Sequence, residues 1–226
     1  MNDKILKRFH RETADHAMQV LHDDGLYRHL RFQQQVWRPP LARPQRSSFY
    51  WFELITVPGS LTFRGDGESF VFARDTDMFE FFRGLVGQIN PGYWAEKLTS
   101  HRDGVMRYDV AIYEARVKEA FVDAVRDGEA PAGLGLAVRR ELLDTWDYFT
   151  GHEDGARQAL EAFEYKGFHF ADTQEWNLRD YDWWFLWALH GIVWGIAQYD
   201  IAKGRQPATR RGPRPLVDVE LPAVAS

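Results

Sequence analysis

The residues able to do chemistry are scattered along the chain, and their spacing first says what they cannot be. His10, His16 and His22 recur every six positions. On a helix six residues turn a side chain by roughly 240°, so the three cannot converge on one ion; helical metal ligands stand three or four apart. His22 with Asp23 and Asp24 offers a cation donor set, but the same residues serve as the polar end of an element. No metal site and no cofactor is expected. With no cysteine there is neither thiolate nucleophile nor disulfide framework. No Gly-x-Ser-x-Gly elbow, phosphate loop or Gly-x-Gly-x-x-Gly fingerprint occurs. His190, set among tryptophans, is the histidine whose surroundings should shift its pKa. It reads either as an active-site group or as a core histidine bonded to a carbonyl or to Asp200. No catalytic residue is assigned, which points away from an enzyme.

A second constellation depends on strand pairing. If strands pair in chain order, His29 and Arg31, Trp51 and Glu53, and Thr62 and Arg64 share one face of a sheet, with an aromatic plane between two guanidinium groups. Such a face can stack a base or grip an acidic protein surface. It can equally be covered by C-terminal helices that must bury their own apolar sides. Trp37 and Arg38, at the start of the basic stretch Arg38 to Arg46, join the candidate partner-binding set of His29, Arg31, Trp51, Glu53 and Arg64.

The elements that must position these residues centre on positions 48–84. Phe49 to Thr56, Leu61 to Arg64 and Ser69 to Ala73 are β-branched and aromatic runs that read as three strands. Pro58-Gly59 fits a type II turn and Gly65-Asp66-Gly67 a tight hairpin loop. Leu26 to Gln33 alternates as a fourth strand. Asp77 with Glu80 forms a capping box, opening a helix whose Met78, Phe81, Phe82, Leu85 and Ile89 are expected to lie over Phe52, Leu54, Leu61, Phe63, Phe70 and Phe72.

Helices are predicted over residues 3–22, Pro91 to Leu98, Val110 to Arg126, Leu136 to Phe149 and Glu153 to Tyr165. Gln34 to Ser47, with Pro39, Pro40 and Pro44, reads as an extended exposed loop outside any central ladder. The most apolar stretch, Asp182 to Ala202, is interrupted by His190, Gln198 and Asp200, so it reads as a central buried helix rather than a membrane span. Its Trp183, Trp187, His190 and Trp194 fall on one side. Its Ala188, Gly191, Gly195 and Ala202 permit close backbone contact on another.

The class expected is α+β: an antiparallel β-meander of three to four strands against a mostly helical C-terminal half. One domain is expected over 1–203, with helix and meander in 1–90 and the helical half in 91–203. Residues 204–226 read as a disordered or draped tail. Net charge is −5, but residues 1–48 carry +4 and residues 105–203 carry −8, an asymmetry that can steer a partner or simply solvate helix faces. The last helix can pack within its own chain or across a homodimer.

The segments HDDGLYRHLRF, SFYWFELITVPGSLTFRGDGESFVFAR, DMFEFF and INPGYWAEKL, across roughly residues 4–100, resemble a family of uncharacterised proteins from temperate phages and prophages. The resemblance implies no reaction and no site residue. It implies an accessory protein in the cytoplasm of a bacterial host, binding and inhibiting a host protein or protein complex, as a counter-defence or anti-CRISPR-like protein would. A nucleic-acid-binding protein using the sheet face and basic loop is the first alternative. An enzyme sited around His190 is the second.

Overall fold

The computed structural model describes residues 2–36, 45–46, 49–144 and 150–205. The fold is α+β. The chain divides into two compact units. One comprises the residues up to Arg102 together with those from Trp183, and the other is Asp103–Asp182.

In the first unit, helix α1 (Asn2–Glu12) leads into strands β1 (His16–Asp24) and β2 (Tyr27–Val36). A short β3 (Gln45–Arg46) precedes the meander β4 (Phe52–Val57), β5 (Ser60–Gly65) and β6 (Phe70–Ala73). All pairings are antiparallel, in the order β1-β2-β4-β5-β6, with β3 on β2. The predicted helix over 3–22 is thus corrected to a helix and a strand. Ala17, Val20 and Leu21 suit either period, and pairing with β2 decides for the strand. The expected loop from Gln34 is also shorter, since Gln35 and Val36 pair with Arg46 and Gln45. Pro39, Pro40 and Pro44 lie outside the described residues, as do Trp37, Arg38 and positions 206–226.

The β4–β5 connection is the predicted two-residue turn, with Val57 opposite Ser60 and Gly59 at φ +82°. Gly67 meets a different requirement. A Cβ there would stand 2.5 Å from the Trp184 ring, whose Nε1–H donates to the Glu68 carbonyl at 2.9 Å.

The inner sheet face is an apolar layer of Leu30, Phe32, Phe52, Leu54, Leu61, Phe63, Phe70 and Phe72, all fully buried. The predicted helix reaches only one end of it, where Phe82 packs edge-on to Phe72 at 5.1 Å between ring centroids. Helix α2 (Met78–Phe82) has only five residues, capped by Asp77 through the Phe79 amide at 2.9 Å, and Leu85 and Ile89 lie beyond it. Helix α3 (Pro91–Ala95) begins on Pro91 behind its Asn90 cap. The long C-terminal helix, α7 (Trp183–Ala202), covers the rest of the layer. A Cβ on Gly191 would meet Phe63 at 3.1 Å and Phe52 at 3.6 Å; one on Gly195 would meet Leu54 at 2.8 Å and Phe32 at 3.0 Å. Trp187 and Trp194 flank this contact, edge-on to Phe9 of α1 at 5.0 and 5.9 Å between ring centroids. Helix α7 is apolar all round, as a helix enclosed on most sides must be. No helix among the described residues is long and apolar enough to cross a membrane.

Charged pairs hold the end of α7. Asp200, 3% exposed, accepts two hydrogen bonds from Arg83, at 2.7 and 2.9 Å, and Arg83 also pairs with Glu80. Asp23 of β1 accepts from Tyr199 at 2.8 Å and pairs with Lys203 at 2.5 Å.

In the second unit, β7 (Met106–Tyr108) pairs with β8 (Arg179–Tyr181). Helix α4 (Val110–Arg126) matches its prediction, Asp109 capping it through the Ala111 amide. The predicted helix 136–149 is instead α5 (Leu134–Val138) running into a π-helical turn over Arg139–Leu143, and 145–149 lie outside the described residues. Helix α6 (Glu153–Ala162) ends three residues before its prediction. Tyr113, Val117, Leu134, Val138, Leu160 and Phe170 build this unit's own core.

Overpacking at a helix-on-sheet contact costs about 1–3 kcal/mol, against about 1 kcal/mol gained by replacing a helical glycine with alanine. Gly195→Ala is therefore expected to lower urea-unfolding stability, while Gly191→Ala, with one tight contact, stays near neutral. Removing one partner of a buried ion pair costs about 3–5 kcal/mol, so Asp200→Ala should show the larger loss in the same measurement.

Candidate functional site

Strand register builds the outer-face constellation directly. Glu53 of β4 stands opposite Arg31 of β2 on one side and Arg64 of β5 on the other. His29 lies one row away, opposite Ile55. The side chains meet over Glu53. Arg31 Nε donates to Oε1 at 2.6 Å, with Nη2 also 2.6 Å from that oxygen in the ion pair; His29 Nε2 stands 3.1 Å and Arg64 Nε 3.4 Å from Oε2. The Arg64 guanidinium lies 5.5 Å from the centre of the Trp51 ring. His29, Arg31, Trp51, Glu53 and Arg64 are therefore brought together, but the Glu53 carboxylate and not the expected Trp51 ring stands between the two guanidinium groups, while Trp37 and Arg38 lie outside the described residues.

Exposure divides this group into a floor and a rim. Glu53 is fully buried, whereas the side chains of His29, Arg31 and Arg64 are 32%, 36% and 52% exposed. The face is not sealed as an interior would be, and the expectation of C-terminal helices over it is corrected: α7 covers the inner face. Burial alone would raise the Glu53 pKa, but hydrogen bonds from Arg31 and His29 and their charges outweigh it and hold the carboxyl below its ordinary range. A carboxylate so held is an anchor, poorly suited to proton transfer near neutral pH. It fixes three donor groups whose outer sides can grip a carboxylate or a phosphate.

His190 follows the core reading, with one correction. It is 1% exposed, its ring 6.2 Å from that of Phe9, and burial with the nearby charge of His10 pushes its pKa down to about 4. Asp200, the partner suggested by sequence, is bound to Arg83. His10 stands on α1, while His16 and His22 stand on β1. Among the described residues no group of three His, Asp or Glu side chains could hold a metal ion.

Sequence reasoning missed a second polar cluster. Arg28 of β2 forms a two-armed pair with Asp77 at 2.8 and 3.0 Å and lies over the Phe79 ring at 4.6 Å. The signal was present in part, because Asp77 had already been read as a cap; its second role needs the fold, which brings residues 49 positions apart into contact.

Two pH dependences follow. For Glu53 the folded pKa is depressed, so its stabilisation is present above the unfolded value, about 4.3, and is lost as pH falls through the folded value. Glu53→Gln should be less stable than wild type at pH 7 and show a flatter acid limb in equilibrium unfolding. His190 is also depressed, from 6.5 to about 4. Stability contributed by its neutral form is complete above pH 6.5 and lost by pH 4, an effect of about 3 kcal/mol. His190→Leu should flatten the stability curve in that window.

Comparison of the chain with protein-family models, with characterised proteins and with solved structures finds no significant match.

Proposed function

We propose that this is a non-enzymatic binding protein, acting in the bacterial cytoplasm, that engages and inhibits a host protein or protein complex through the outer face of its first sheet. The observation carrying this reading is the fully buried Glu53 carboxylate with three partly exposed nitrogen donor groups held around it. Side chains ordered before binding lose less entropy on contact. Arginine and tryptophan are the residues that most often dominate an interface. The resemblance read in residues 4–100 implies a temperate-phage context, that of a counter-defence protein. A protein partner is favoured over nucleic acid because the net charge is −5 and Glu53 neutralises part of the face.

Nucleic-acid binding stays as a second reading for one reason, the pairing of Arg64 with the Trp51 ring, which resembles a base-stacking platform. It predicts low-salt binding that falls steeply as salt is raised.

The test is affinity purification from host lysate with wild-type protein and with Trp51→Ala and Arg31→Ala, alongside phage plating on defended hosts. A partner recovered by wild type should bind each variant at least about 30-fold more weakly, the effect of losing about 2 kcal/mol at a hot spot. Plating should fall in step. Recovery unaffected by both substitutions would move the interface elsewhere, and low-salt gel-shift binding of DNA or RNA would favour the second reading.

A further inference from the structure

The two edges of the main sheet differ sharply. Strand β6 is closed by the chain segment that follows α3. Ala73 N–H donates to the Lys97 carbonyl at 3.0 Å, Thr99 N–H to the Val71 carbonyl at 2.8 Å, and Val71 N–H to Ser100 Oγ at 2.9 Å. At the other end β1 pairs with β2 alone among the described strands. Its nine residues, about 30 Å of chain, place every second set of backbone donors and acceptors on the side away from β2.

Edge strands are ordinarily guarded by lysine, by proline or by a bulge. β1 (HAMQVLHDD) contains no lysine, arginine or proline. It does carry a bulge, because Val20 pairs with Leu30 and His22 with His29, which leaves Leu21 as the extra residue. The bulge does not conceal the strand's apolar centre. Val20 is 45% exposed although Leu30 beside it is fully buried, and Leu21 is 40% exposed. The apolar layer of the sheet thus runs out at an edge with its last side chains in water.

We infer that β1 is a self-pairing edge, at which two copies of this chain join antiparallel to continue one sheet across a two-fold axis near Val20 and Leu21. The ends of the strand select this occupant and this direction. His16, half-buried with its ring on the Tyr50 carbonyl at 2.9 Å and its pKa lowered by burial, is an uncharged end, while Asp24 and the Lys203-paired Asp23 stand at the other. Antiparallel pairing about Val20 sets the uncharged His16 end of one copy beside Asp24 of the next and keeps the two acidic ends apart. Parallel pairing would lay each acidic end against itself. Between the ends Ala17, Met18 and Gln19 are uncharged, and the exposed Val20 of each copy meets its counterpart. The outer-face residues Arg31, Glu53 and Arg64 take no part, so this inference stands apart from the proposed partner site.

Sedimentation of the full chain should give a mass about twice 26.4 kDa. Val20→Lys and Leu21→Lys, both at exposed positions, should each abolish the dimer with circular dichroism unchanged and with a melting temperature that no longer rises with protein concentration. The natural absence of cysteine permits a direct check. Val20→Cys, or Leu21→Cys if the axis lies on that residue, should yield a disulfide-linked dimer on mild oxidation, whereas Ser69→Cys, next to the closed edge, should not. A wild-type chain that stays monomeric up to about 100 μM overturns the inference, whether or not its edge then accepts a strand from another protein. A dimer that survives both lysine substitutions in folded protein overturns it too.

Discussion

The first unit depends on how closely the backbone of α7 approaches the phenylalanine layer of the sheet. Gly191 and Gly195 present no side chain where Phe52, Phe63, Leu54 and Phe32 need the room. Trp187 and Trp194 fill the flanks and reach Phe9 of α1. Three parts of the chain, near positions 9, 52 and 190, therefore share one contact. A core made this way is dense because glycine and tryptophan alternate along the helix, and a dense core tolerates little change in volume.

Polar contacts then fix the helix along its length. Arg83 on Asp200 and Lys203 with Tyr199 on Asp23 hold its C-terminal end, while Trp184 bonded to the Glu68 carbonyl and Trp187 to Glu12 hold its first turns. Hydrophobic contact supplies most of the energy in such an arrangement but is indifferent to sliding by a turn. The charged and indole hydrogen bonds are directional, and they choose one seating among several of similar apolar area. The outer face of the sheet follows the same logic in reverse, since there a single buried carboxylate sets the directions of partly exposed arginines.

Much of this was legible in the sequence, for local reasons. Pro58-Gly59, the alternation from Phe52 to Phe72 and the caps Asp77 and Asn90 are short-range signals, and each marked its element, whereas the Asp109 cap appears only in the structure. The outer-face group was legible because strands joined by tight turns leave little freedom in register. What failed was non-local or ambiguous. HAMQVLHDD satisfies both periods, and only β2 beside it settles the choice. The seating of α7 on the sheet joins residues more than a hundred positions apart. The pairing of Arg28 with Asp77 and of Arg83 with Asp200 is likewise invisible to any window of neighbouring residues.

That the first unit is assembled from two separated stretches, with Asp103–Asp182 between them, has a consequence during synthesis. The meander leaves the ribosome long before the helix that must cover it. For the whole interval in which residues 103–182 are being made, Phe32, Phe52 and Phe63 lack the helix that covers them, and the nascent chain is a natural client for chaperones that shield apolar surface until translation passes Ala202. The intervening unit, whose core is contiguous in sequence, has all of its residues available during that wait.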